Sequence, residues 1–289
     1  MQHPPGMSSM PQRWFVRLTT ALVPLLGGAA LVGVAWPRLY RDPDVIAAQA
    51  IGQDWVTLVF ATPLLAVAGR AARRGSAFGQ LVALGVLGYA AYAYALYAFG
   101  TRHNELFLVY VAILGMSVWG LIAGLVAIDG RRLAAIAVPR LAWRWLGGFF
   151  MALAGLFALI WLSEIIPALV RRETPATVVA WGTPTNGVHV LDLSFVLPIL
   201  GWTGSRLWRR DRGAVVLAGV LLFKVVTLGI AILAMGAFQA YRDQDVDPGL
   251  TAVFAVVTAL ALATAAQYAW AVGAMKKPTG GLRPLAVRR

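Results

Sequence analysis

HVLDLSFVLPILGWTG (residues 189–204), SRLWRRDRG (205–213) and AVVLAGVLLFKVVTLGIAILAMGAF (214–238) follow one another in the chain, and their reading decides the fold. The first and third stretches are apolar enough to cross a bilayer as helices. The short basic segment between them makes the two helices adjacent and antiparallel. Each carries one full charge inside its apolar run, Asp192 in the first and Lys224 in the second. An ionisable residue inside a membrane span is costly and marks a function by default. Counted from the shared loop, Asp192 lies roughly 21 Å deep and Lys224 roughly 16 Å at 1.5 Å per residue. A lysine stem can bridge a gap of about 5 Å, so an intramembrane Asp192–Lys224 pair is expected.

Working outward, similar apolar runs recur along all 289 residues. The chain is 60% hydrophobic and 13% charged, about half the charge of a soluble domain. Eight spans are expected, near 18–36, 54–70, 77–99, 106–128, 145–170, 188–205, 213–239 and 250–274. They form a single transmembrane domain over 13–275, with a disordered polar tail over 1–12 and a basic tail over 276–289. The chain thus reads as an all-α integral membrane protein, a bundle of eight transmembrane helices. The run after Arg13 and Arg17 is longer than the apolar core of a signal peptide and lacks a clean small-residue cleavage site, so it reads as a retained first span.

Lysine and arginine set the orientation. Taking the N-terminus as cytoplasmic, the cytoplasmic segments carry 18 of the 25 basic residues and the opposite loops carry 6, with Lys224 between them. The positive-inside rule then places both termini in the cytoplasm of a bacterial-type plasma (inner) membrane. The same distribution accounts for the net charge of +13 without a nucleic-acid partner. Tryptophans fall mostly near span ends. Acids show the opposite bias: Asp42, Asp44, Asp54, Glu105, Glu173, Asp243, Asp245 and Asp247 lie outside, which suggests an acidic outward-facing vestibule.

Around the charge pair, further candidates converge on the outer half. His189 lies three residues before Asp192, on the same helix face. Glu164 sits near the outer end of span five. Asp54 opens span two, where it suits a helix N-cap. The outer turn between spans three and four packs Arg102, His103, Asn104 and Glu105 above Tyr94 and Tyr97 and suggests the lip of a site. Pro24, Pro63 and Pro198 interrupt spans where backbone groups must be satisfied by protein or by a cavity. No repeated motif is evident between 13–130 and 145–275.

Other chemistry is excluded by what is missing. There is no cysteine, hence no disulfide, thiolate metal site or cysteine nucleophile. HExxH, P-loop, GxGxxG and GxSxG patterns are absent, so no catalytic residue, metal or cofactor is assigned. The Asp-rich YRDQDVDPG (241–249) lacks the length and distal Glu of a calcium loop. The leading expectation is a transport or binding protein for a small solute or ion, embedded in the lipid bilayer. The alternatives are a structural subunit whose partners are other membrane proteins, and a membrane enzyme acting on lipid at the outer surface.

Overall fold

The computed structural model describes residues 9–273. The tail at 276–289 and residues 1–8 of the N-terminal tail lie outside the described residues. Eight helices are long and apolar enough to cross a membrane. They are α1 (Met10–Ala35), α2 (Asp44–Arg73), α3 (Ala77–Gly100), α4 (Phe107–Ala127), α6 (Trp143–Arg171), α8 (Gly187–Trp208), α9 (Ala214–Tyr241) and α10 (Pro248–Val272). Two short helices join them, α5 (Gly130–Ala137) and α7 (Ala176–Trp181). The described residues contain no strand, so the chain is an all-α membrane bundle.

Two helix starts differ from the sequence reading. α1 begins at Met10, because Ser9 Oγ accepts from the Gln12 N–H at 3.4 Å and Pro11 suits the first turn. α2 begins at Asp44, ten residues before the expected start. Asp44, Gln49, Gln53 and Asp54 lower the hydropathy of that stretch, yet Ala47, Ala48, Ile51 and Gln53 are buried against protein rather than lipid. Asp54 is therefore an interior residue of α2 and not its N-cap.

α3 and α9 form the centre of the bundle. Buried residues make up 78% of the apolar window of α3 and 67% of that of α9, against 39% or less in every other span. They cross where Gly85 lies directly against Phe223 and Lys224: a Cβ on Gly85 would come within 3.1 Å of the Lys224 backbone nitrogen. Around this axis α1, α2 and α4 pack on one side, and α6, α8 and α10 on the other.

The structure also overturns the absence of a repeat. α2 holds a π-helical turn at Thr57–Ala61 and α8 holds one at Asp192–Val196, each ending two residues before a proline, Pro63 or Pro198. Proline lacks an N–H and its ring crowds the carbonyl four residues back, so a widened turn is accommodated just upstream. In register with these prolines, Gly52, Leu58, Phe60, Leu65 and Gly69 of α2 match Gly187, Leu193, Phe195, Leu200 and Gly204 of α8. The contacts match as well. A Cβ on Gly52 would sit 2.7 Å from the Ala234 carbonyl oxygen of α9, and one on Gly187 3.0 Å from Leu96 of α3. Gly69 faces Thr19 of α1, and Gly204 faces Gly147 and Met151 of α6. The chain thus divides into two four-span halves, α1–α4 and α6–α10, whose second spans match and whose third spans, α3 and α9, are the central helices; the first and fourth spans pack closely in the first half but touch through side chains in the second.

These glycines differ in how much they matter. Gly52→Ala places a methyl group against α9 backbone and is expected to destabilise the protein by about 1–3 kcal/mol. Gly28→Ala, with open space around its Cβ, is expected to change stability by no more than about 0.5 kcal/mol. Thermal unfolding in detergent measures both.

Candidate functional site

Lys224 is the eleventh residue of α9 and only 5% exposed. Its ammonium nitrogen lies 4.3 Å from the centroid of the Tyr92 ring, a cation–π contact from α3. No ion-pair partner lies within 4.0 Å among the described residues. Asp192 is also buried, and its Oδ2 accepts from the Trp161 indole N–H at 2.9 Å. The Tyr92 side chain stands between the two charges, with its ring under Lys224 and its hydroxyl toward Asp192. The two charges therefore share a site without forming a direct ion pair. The helix lengths give the reason. Asp192 lies sixteen residues from the end of α8 at Trp208, and Lys224 ten from the start of α9 at Ala214. That is roughly 24 Å against 15 Å of rise, a wider offset than a lysine stem closes.

Both residues line a cavity of about 340 Å³. Tyr92, Trp161, Gln53 and Asn186 add polar or amphipathic groups, and Leu228, Ile232, Phe157 and Phe254 supply apolar wall. The lining extends to Trp181, Asp245 and Asp247, so the cavity reaches the bundle face opposite the arginine-rich connections. α6 and α10 close one side through side chains: the rings of Phe157 and Phe254 are 5.2 Å apart, and Trp145 Nε1 donates to Thr264 Oγ1 at 3.0 Å.

A hydrogen-bonded chain leads from that face toward the cavity. Glu164 Oε1 accepts from both the backbone N–H (2.9 Å) and the hydroxyl (2.8 Å) of Thr177. Asn186 Nδ2 donates to Thr177 Oγ1 at 3.1 Å, while Asn186 Oδ1 caps α8 by accepting from the N–H groups of Val188 and His189. His189 Nε2 lies 3.7 Å from Glu164 Oε2, and its ring packs 4.9 Å from that of Trp161. Of the residues singled out in the sequence, Asp192, Lys224, His189 and Glu164 thus come together.

Asp54, Tyr94, Tyr97 and Asn104 do not join them. They belong to a closed cluster in the first half. The Asp54 carboxylate, 1% exposed, accepts from the Tyr40 hydroxyl and, at 3.1 Å, from the Tyr97 hydroxyl, which also lies 3.0 Å from the Ala50 carbonyl oxygen. Gly33 of α1 presses against this carboxylate, with no room for a side chain. The rings of Tyr40, Tyr94, Tyr97 and Tyr110 fill the rest, with neighbouring centroids 5.1–6.0 Å apart. Burial holds the Tyr40 hydroxyl well above its ordinary pKa, with the nearby Tyr97 and Asp54 adding to the effect.

The turn above this cluster is a clasp. The Arg102 backbone N–H donates to Asp42 Oδ1 at 2.7 Å, its guanidinium donates to the Arg41 carbonyl oxygen at 2.8 Å, and Glu105 pairs with Arg41. Burial raises the Asp42 carboxyl above its ordinary pKa, opposed by the Arg102 N–H and charge. His103 packs on Phe107, 5.1 Å between rings, and takes no part in the cavity. The expected lip over the charge pair is instead a lock between the α1–α2 and α3–α4 connections.

Sequence reasoning missed Tyr92 and Trp161 as the groups that hold the charges. Both lie in runs of similar aromatics, where spacing does not single one out. It also passed over Gln49 and Gln53, two polar residues four apart on α2 that both line the cavity. Among the described residues no three His, Cys, Asp or Glu side chains cluster as metal ligands. Comparison with family models, curated proteins and solved structures finds no match to this chain. Function is therefore argued from the cavity alone.

The closed cluster makes a clear prediction. Tyr97→Phe removes a hydroxyl donor from a buried carboxylate and is expected to cost about 1–3 kcal/mol. Tyr94→Phe removes a buried hydroxyl that has no partner and is expected to be neutral or stabilising. Denaturation of the two variants side by side decides it.

Proposed function

We propose that this protein binds or transports a small solute, with the cavity at Lys224, Asp192, Tyr92 and Trp161 as its site. The observation that carries this reading is a buried lysine near the middle of the most apolar span, with no carboxylate within 4.0 Å, opening into a cavity. A lysine kept only to fix helix register would sit against a carboxylate. Lys224 instead rests on an aromatic face and turns its charge toward the space that a ligand would occupy. Most of the lining is apolar with a few convergent polar groups, the usual make-up of a small-molecule site.

The orientation is part of the same proposal. With the arginine-rich connections in the cytoplasm, the cavity opens to the extracytoplasmic side of a cell membrane. The far-face acids Asp245 and Asp247 then stand at its mouth. Two parallel four-span halves meeting at α3 and α9 suit a transporter, since such folds move one repeat against the other around a site between them.

The test is thermal unfolding of the purified protein in detergent, wild type against Lys224→Met, over a panel of ions, pH values and small metabolites. A solute of this site present at about 100 times its Kd adds about 2.7 kcal/mol, a rise of roughly 5 °C or more. The rise should be absent in Lys224→Met. If no solute shifts the wild type while Lys224→Met alone loses stability, the cavity is structural and the proposal is wrong.

A further inference from the structure

We infer that the cavity takes a zwitterionic ligand, its anionic group on Lys224 and its cationic group on Asp192, with an apolar body against the walls. This inference rests on the proposed function and names the ligand class for the same site.

Lys224 and Asp192 both line one cavity, both are buried, and they do not come within 4.0 Å of each other, with Tyr92 in contact with both. Two opposite charges in a dry site gain most from meeting each other. Here the protein keeps them apart. Each is stabilised by neighbours and still faces the cavity: the Tyr92 ring lies under the ammonium, and the Trp161 N–H and the Tyr92 hydroxyl both point to the carboxylate. A ligand with a single charge would satisfy one residue and leave the other uncompensated, which is costly in a buried site. A ligand carrying both charges, separated by a few bonds, satisfies both at once.

The surroundings agree. Trp161, Tyr92 and Phe157 line the same cavity as Asp192 and add aromatic surface, which suits an ammonium or quaternary ammonium group. Among the described residues no second lysine or arginine lines the cavity, so it suits a single anionic group rather than a dianion. Asp245 and Asp247 at the mouth attract the cationic end of an approaching molecule. Leu228, Ile232 and Phe254 leave apolar surface for a hydrocarbon side chain or tail. A free amphipathic zwitterion, such as an amino acid with an aliphatic side chain or a betaine, has this chemistry. So does the headgroup of a zwitterionic phospholipid.

The experiment uses the full chain, purified in a sugar-headgroup detergent, and a matched set of probes. L-leucine carries both charges, 4-methylvalerate lacks the ammonium and isopentylamine lacks the carboxylate. Glycine betaine and a short-chain phosphatidylethanolamine complete the set. Binding is read by calorimetric titration and by thermal shift. At least one zwitterion is expected to bind the wild type about tenfold or more tightly than either singly charged analogue. Lys224→Met and Asp192→Asn are each expected to weaken it by a similar factor. A response to phosphatidylethanolamine but not to the free zwitterions assigns the site to lipid, and the reverse assigns it to a soluble solute. The wild-type series stands even if a variant fails to fold. If a singly charged analogue binds as tightly as any zwitterion, and does so through Lys224, the solute site stands and the zwitterion inference falls. If none of the probes binds while another solute of the panel does so through Lys224, the result is the same. If no solute of any kind binds, both fall.

Discussion

The close crossing of α3 and α9 at Gly85 is the constraint on which the rest of the bundle depends. Without a Cβ at that point the two helices approach until side chain meets backbone, and the approach fixes Lys224 against α3. A Cβ on Gly88, one turn on, would sit 3.4 Å from Lys224 Cγ, and Tyr92, a further turn along, receives its ammonium. Three α3 residues at helical spacing therefore define one groove for one lysine. Any side chain larger than hydrogen at position 85 would separate the central helices and displace the charge from its aromatic support.

Around that crossing the same scaffold has been filled twice, in opposite ways. Counted from the two prolines, Asp54 in α2 corresponds to His189 in α8, and Thr57 corresponds to Asp192. In the first half Gly33 closes on Asp54, Tyr40 and Tyr97 occupy the carboxylate, and Thr57 pairs with the Tyr89 hydroxyl at 2.7 Å. In the second half Trp161 and Glu164 stand beside His189, and Asp192 keeps open space in front of it. Packing thus closes the first half around its carboxylate. The second half retains the cavity because α8 is cut short at Gly187, where the 182–186 turn replaces the helical turns with which α2 begins.

Much of this was legible in the sequence, and the misses have physical causes. Eight spans followed from hydropathy, because lipid demands long apolar helices whatever they do. The charges at 192 and 224 stood out because the bilayer makes them costly. The start of α2 was hidden because hydropathy measures preference for lipid, whereas Gln53 and Asp54 are polar residues buried in protein and Gln49 is half-buried beside Gln239. Asp54 looked like a cap for the same reason. The repeat was missed because its identities, from Gly52 to Gly69 and from Gly187 to Gly204, are spread thinly among interchangeable apolar residues. Proline in each second span was the signal that could have aligned them. The site's partners were not legible at all: Tyr92 sits among four tyrosines of α3, and only the rotation of that helix decides which one faces Lys224.

The joining of the two halves also explains why a costly charge is tolerated. A single four-span half buries its third span on one side only, so a lysine there would face lipid. With two halves joined, α9 is enclosed by α2, α3, α8 and α10, and position 224 lies inside protein, where an aromatic face and a polar cavity offset its desolvation. Counted from the two prolines, the corresponding position of α3 is Tyr89, which is fully buried, hydrogen-bonded to Thr57 and offers no such space. The asymmetry between the halves is thus an asymmetry of packing density. A charge is kept where the second half leaves a gap, and the gap stays open because the loosely joined α8 and α9 do not collapse on it.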